Sequence, residues 1–342
     1  MVTVRESDSD SPMSAPAAAP VASVRPTNWA IAGLVTALML GMAALGLAFA
    51  LKTVGFRRAN DQLGAQPPEP LPEPRLLPPA EWPGLGYLPE DVRAAAGLRV
   101  ADAAETAAGR ALLAQLGPTA TTMPLGLSQK DVDNLLLGAS LHTLPPRMTA
   151  VIHGSVGGVT GSGRTVEQHG KTLDRLKLWP NGPEGVAWRA DRRTLIVSLL
   201  PEDFDRVPAK PQAALPMAEL IGRLDPAALA WLVATVDANN GAFALLAEHL
   251  PLAERDIWAK LDAVAVSIRS DGNALTLTAH IHSRDAAAGE AITKGIAESL
   301  AKAGISVERP AAAPEHFKDW RQLTATADGQ RISAWLAGLR GR

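Results

Sequence analysis

Residues 158–165, GVTGSGRT, are the one stretch whose residue types and spacing come near a known chemistry. Glycines in such a loop let backbone N–H groups close on a phosphate. A basic side chain then reaches the terminal phosphates, and a Ser or Thr hydroxyl takes magnesium. The pattern departs at its cation, because Arg164 stands where a lysine belongs and a planar guanidinium does not simply replace a compact ammonium. A nucleotide-binding reading would use Gly158, Gly163, Arg164 and Thr165, with Asp237 as the available carboxylate. It also needs a parallel sheet with crossovers. The competing reading is a glycine-rich loop following a hairpin.

The remaining candidates are weaker. His280 and His282 share one face of a strand and could chelate a metal, but no third ligand is apparent beside them. His142, His153 and His169 lack ligand spacing, and Glu248-His249 reads as a polar pair at a helix end. No Gly-x-Ser-x-Gly elbow sits on a strand-to-helix turn. Glu202, Asp203 and Asp205 read as a solvated turn, and Trp179, Trp188, Trp231, Trp258, Trp320 and Trp335 as core and rim residues. No catalytic residue, metal site or cofactor is therefore predicted.

The element that must position everything else is residues 28–51, NWAIAGLVTALMLGMAALGLAFAL, without one charged side chain. As a helix it would measure roughly 36 Å against a hydrocarbon core of about 30 Å, so it predicts a tilted membrane span and a bilayer contact through those residues. Ala48-Phe49-Ala50 has the form that signal peptidase reads, yet the apolar run exceeds the 7 to 15 residues of an ordinary signal core. Retention as a signal-anchor is expected. Lys52, Arg57 and Arg58 follow the span and only Arg25 closely precedes it, which places the C-terminal part in the cytoplasm. Export is the alternative. Ala37/Gly41 and Gly46/Ala50 are small pairs that would permit two spans to approach closely.

Among 342 residues the formal net charge is −2, which gives no electrostatic case for a nucleic-acid partner. Zero cysteine excludes disulfides, thiolate metal sites and cysteine nucleophiles. Residues 1–27 combine Ser, Asp, Pro and Ala and read as a disordered tail. Residues 52–84 read as a basic juxtamembrane segment and a proline-rich linker, extended as polyproline II.

The folded part is expected to be α+β, an antiparallel sheet with helices on one face, built as two similar halves over 85–206 and 207–342. In the first half, strands are predicted at 92–100, 132–141, 148–156 and 193–200, with helices at 104–116 and 165–176. In the second, strands are predicted at 228–236, 261–269, 274–282 and 321–327, with helices at 241–250, 286–303 and 332–339. Asp271-Gly272-Asn273 reads as a hairpin turn, and Gly304 as a helix C-cap. Strand 274–282 places Leu275, Leu277, Ala279 and Ile281 on one face and Thr276, Thr278, His280 and His282 on the other.

Gly86-Tyr87-Leu88-Pro89, Ala108-Gly109-Arg110-Ala111-Leu112-Leu113 and Asp131-Val132-Asp133-Asn134-Leu135-Leu136-Leu137-Gly138, following an anchor and a proline-rich spacer, resemble single-pass membrane proteins of planctomycete bacteria with no assigned activity. The resemblance implies a domain layout and no chemistry. The expected function is a non-catalytic domain tethered to the bacterial membrane that binds a protein or envelope component, or that spaces or senses beside a membrane partner. The alternative is a nucleotide-binding protein with a degenerate P-loop.

Overall fold

The structure, a computed structural model, describes residues 77–115, 125, 127–140, 147–159, 161–178, 184–213, 215, 217–236, 256–308 and 320–331. The expected tail 1–27, the span 28–51, most of the linker, and the helices 241–250 and 332–339 lie outside these residues. None of the described helices is long and apolar enough to cross a membrane.

In chain order the elements are β1 (Ala94–Arg99), α1 (Val100–Glu105), α2 (Ala107–Gln115), β2 (Val132–Ser140), β3 (Arg147–Gly154), β4 (Thr165–Gln168), β5 (Lys171–Lys177), β6 (Glu184–Arg189) and β7 (Thr194–Ser198). They continue with α3 (Ala218–Ile221), β8 (Ala230–Thr235), β9 (Leu261–Asp271), β10 (Ala274–Ser283), α4 (Ala286–Lys302), β11 (Ser306–Glu308) and β12 (Trp320–Asp328). Among the described residues, twelve strands form one sheet in the order β11-β12-β10-β9-β8-β1-β2-β3-β7-β6-β5-β4. Every pairing is antiparallel. The fold is α+β, as the alternating strand patterns predict. Both edges are short and polar, Ser306–Glu308 and Thr165–Gln168, which discourages pairing with another chain.

One face of the sheet carries α1, α2 and α4. The last shows why its residues form a helix: Ile292, Ile296 and Leu300 recur at four-residue spacing and are all buried. Burial stabilises each by roughly 1.5–3 kcal/mol. Asp285 caps its start by accepting from the Ala287 N–H at 2.9 Å. Gly304, at φ +73°, ends it as expected, with the Ile305 N–H returning to the Leu300 carbonyl at 3.0 Å. The helix expected over 104–116 is instead two. Thr106 takes an extended backbone between α1 and α2, and its Oγ1 accepts from the Gly109 N–H at 2.9 Å, so it caps the second.

The opposite face is partly covered. Thr276, Thr278, His280 and His282 do alternate with buried Leu275, Leu277, Ala279 and Ile281, but they are themselves half-buried. At the centre this face is covered by residues 77–92, by a 3-10 turn at Pro201–Asp205 and by α3. The linker expected to run to 84 therefore ends earlier. Pro79 and Trp82 are buried, Trp82 at 3 % exposure, and pack on the sheet as part of the domain.

The keystone is Trp231. It lies 1 % exposed across the β1–β8 register from Gly97, where an added Cβ would stand 2.4 Å from its ring. Trp82 meets it edge-on at 5.7 Å between ring centroids. The Trp82 Nε1 donates to the Leu77 carbonyl at 3.1 Å, and the buried Arg99 guanidinium sits 5.1 Å over the Trp82 ring.

The expected helix over 165–176 is replaced by the hairpin β4–β5. His169 and Gly170 stand at φ +46° and +70°, which makes a two-residue turn of the mirror-image type that matches strand twist. Histidine is a poor choice at the first of these positions. His169→Asn is expected to raise stability by about 0.5 kcal/mol in urea denaturation, since the solvent-exposed His169–Asp205 pair it removes contributes little. A loss of stability would show that this pair outweighs the backbone strain.

Candidate functional site

The glycine-rich stretch is built as a loop between β3 and β4. Val156–Gly158 is a single 3-10 turn, clamped by Arg189, which donates to the carbonyls of Val156 at 2.9 Å and Val159 at 3.2 Å. The Ser162 N–H donates to the Arg175 carbonyl, and the Arg175 N–H to the Arg164 carbonyl, at 2.7 and 2.8 Å. Gly158, Gly163, Arg164 and Thr165 are exposed, with Gly163 at φ +75°. A Cβ added at Gly158 or Gly163 would meet nothing within 4 Å. Thr165 opens the edge strand β4, and among the described residues no helix follows the loop directly. Asp237 lies outside the described residues.

The histidines on the sheet separate by partner. His282 Nδ1 stands 3.5 Å from Asp262 Oδ2, and its ring leans on Trp320 at 5.1 Å. Arg284 Nε reaches the same Asp262 at 2.5 Å, and the Arg223 guanidinium lies 4.3 Å over Trp320 on the far side of the network. His153 Nδ1 pairs with Thr194 Oγ1 at 3.2 Å, while Arg193 bonds Asp133 at 2.5 Å beside it. Among the described residues no three His, Asp or Glu side chains gather as a metal site.

Burial pushes both His153 and His280 below the ordinary imidazole value. Arg193 adds to this at His153 against Asp133 and Asp191, and Arg223 adds to it at His280. The sign follows directly. The unfolded chain protonates these rings first as pH falls through about 6.5, so stability present above that value declines below it. The melting temperature is expected to drop by roughly 2–5 °C between pH 7.5 and 5.5, and less in His153→Gln/His280→Gln. A wild-type protein that gains stability on acidification would contradict the burial of both rings.

A cluster that the sequence does not reveal lies where β2 ends and β3 begins. Ser140 Oγ donates to Asp91 Oδ2 at 2.7 Å, and Arg206 pairs with the same oxygen. Ser198 donates to Asp203, and Arg147 Nε stands 3.8 Å from its other oxygen. Asp203, read from sequence as part of a solvated turn, is 5 % exposed. Oδ1 of Asp91 and Oδ1 of Asp203 are buried without a hydrogen-bond partner. Only the tertiary approach of β7 to β3 buries this turn, and no local pattern marks it. Nearby on the sheet, Lys171 is buried, held below its usual basicity by desolvation. It donates to the Phe204 carbonyl at 3.1 Å and sits 5.4 Å over Trp188. That lysine staples the 201–205 turn to β5.

The architecture defines the chain's class as an α+β protein on a single open antiparallel sheet. No family model matches it, and no curated protein matches it. Among solved structures it is similar to TP0453. Crystal form III of that protein superposes with a TM-score of 0.45 at 11 % identity, covering 76 % of this chain and 99 % of that one. Crystal form I gives 0.41 at 12 % identity, covering 76 % and 98 %. At this level of superposition the likeness carries nothing about function.

Proposed function

We propose that the chain is a membrane-tethered, non-catalytic binding module: a single span at residues 28–51, a short proline-rich spacer, and a sheet domain of two like halves that engages a protein or envelope component. The observation that carries this reading is the uncharged stretch itself, too long and too uniformly apolar for a surface helix of a soluble domain. The early start of the folded domain supports it. Leu77 already serves as an acceptor for Trp82 and Arg99, so about 25 residues separate span from fold, and the domain is held near the bilayer. Charge around the span favours the cytoplasmic side for the domain. Small residues within the span are consistent with lateral pairing. The likeness to planctomycete single-pass proteins agrees with this layout.

Deleting residues 28–51 tests the proposal. The deletion variant is expected in the soluble fraction and the full chain in the membrane fraction. Equal partitioning of the two would remove the span from the account. No observation favours the nucleotide reading at Gly158, Gly163, Arg164 and Thr165. A thermal shift of the full chain with millimolar Mg-ATP would revive it.

A further inference from the structure

Outward from the centre of the sheet, the first half runs β1, β2, β3, β7, β6 and the second runs β8, β9, β10, β12, β11. The two central strands β1 and β8 pair antiparallel, the arrangement a two-fold axis normal to the sheet produces. The hairpins carry the match to individual residues. In β2–β3 the pairing skips one residue between Val132↔Gly154 and Asn134↔His153, which leaves Asp133 as the extra residue of a bulge. In β9–β10 it skips between Leu261↔Ser283 and Ala263↔His282, which leaves Asp262 in the same role. Val132 and Leu261, Asp133 and Asp262, Ile152 and Ile281, and His153 and His282 are each 129 residues apart. Both histidines then face the first residue of the closing strand, His153 opposite Thr194 and His282 opposite Trp320.

A bulge re-aims a side chain and is a specific feature, so a bulged aspartate at one position of both hairpins is not explained by alternation alone; Asp262 lies 3.5 Å from His282, whereas the His153 ring meets Thr194. We infer that the folded domain is a tandem pair of one ancestral unit joined across β1 and β8, and that each copy retains a bulged aspartate, Asp133 and Asp262, as the latch that fixes hairpin register. Each aspartate also holds an arginine, but Arg193 precedes β7 and Arg284 follows β10, so these were recruited separately. Between the third and closing strands the copies have diverged, to β4–β5–β6 in one and to α4 and β11 in the other. This inference stands independently of the membrane reading.

Its test uses the full chain. Amide exchange is followed in Asp133→Asn and Asp262→Asn, conservative changes that keep the side-chain volume. Each is expected to speed exchange at its own bulge, residues 132–134 with 153–154 or 261–263 with 282–283, on the order of fivefold, leaving the other bulge unchanged. An experimental structure of the unmodified chain provides a readout that does not depend on either variant folding. Its halves should superpose by a rotation of about 180° with the 129-residue offset holding through both hairpins. If only one of the two variants speeds exchange at its own bulge, or if the superposition needs another offset, the inference is overturned.

Discussion

Gly97→Ala is expected to destabilise the domain by about 3 kcal/mol or more, a large fraction of the roughly 5–15 kcal/mol that holds an ordinary domain folded. Gly97 lies in β1, at the middle of the sheet, and its missing side chain is the floor on which the Trp231 indole rests. A methyl group there would stand 2.4 Å from that ring, a distance no carbon pair tolerates. Trp231 cannot retreat, because Trp82 closes over it and both belong to the same buried cluster. Either the indole is expelled or β1 and β8, the two strands at the middle of the sheet, part. The check is chemical denaturation of both proteins. A change below about 1 kcal/mol would mean that the Trp231 rotamer is not fixed by its neighbours.

Trp82→Ala is expected to have a comparable effect, about 3–5 kcal/mol. It removes the ring that covers Trp231, the hydrogen bond to the Leu77 carbonyl and the surface on which Arg99 rests. Arg99 is 5 % exposed and its charged partner, Asp102, is 3.5 Å away, so loss of the indole also leaves a charge over a cavity. The informative comparison is Trp82→Phe, which keeps most of the apolar area and is expected to recover more than half of the loss. If Trp82→Ala melted like the parent, residues 77–84 would be a spacer after all and the domain would begin later.

The degree to which sequence foretells this fold varies by element for physical reasons. Strand β10 is legible because one face is core and the other only half-covered, so Leu275 through Ile281 alternate cleanly with Thr276 through His282. Hairpin β9–β10 is legible because Gly272 supplies the positive φ its turn requires. The β4–β5 hairpin reads wrongly as a helix because Val166, Leu173 and Leu176 also satisfy helical spacing, and the decisive turn residue, His169, is atypical for its backbone conformation. Strand β11 escapes a sequence reading because its three residues carry too little pattern and gain definition only from β12. Trp82 is hidden by its proline-rich surroundings, although a tryptophan in a stretch meant to stay solvated is itself a signal of burial.

The candidate chemistry is less legible than the fold. Gly158 to Thr165 has the composition of a phosphate loop, but composition does not specify the element after the loop, which is an edge strand and not a helix. Conversely, the buried Asp203 carries no local mark because its burial depends on the distant strand β3, and the bulged Asp133 and Asp262 carry none because a bulge is defined only by the pairing register of its hairpin. Repeated Val/Leu-Asp and Ile-His pairs at a constant spacing are present in the sequence, and the register of the sheet makes them conspicuous.

The tether itself is tested most directly by alkaline carbonate extraction of membranes carrying the full-length chain, followed by ultracentrifugation. Retention in the pellet, with release only by detergent, is the result predicted by a lipid-solvated helix at residues 28–51. Complete recovery in the supernatant would contradict it and leave the sheet domain without its membrane.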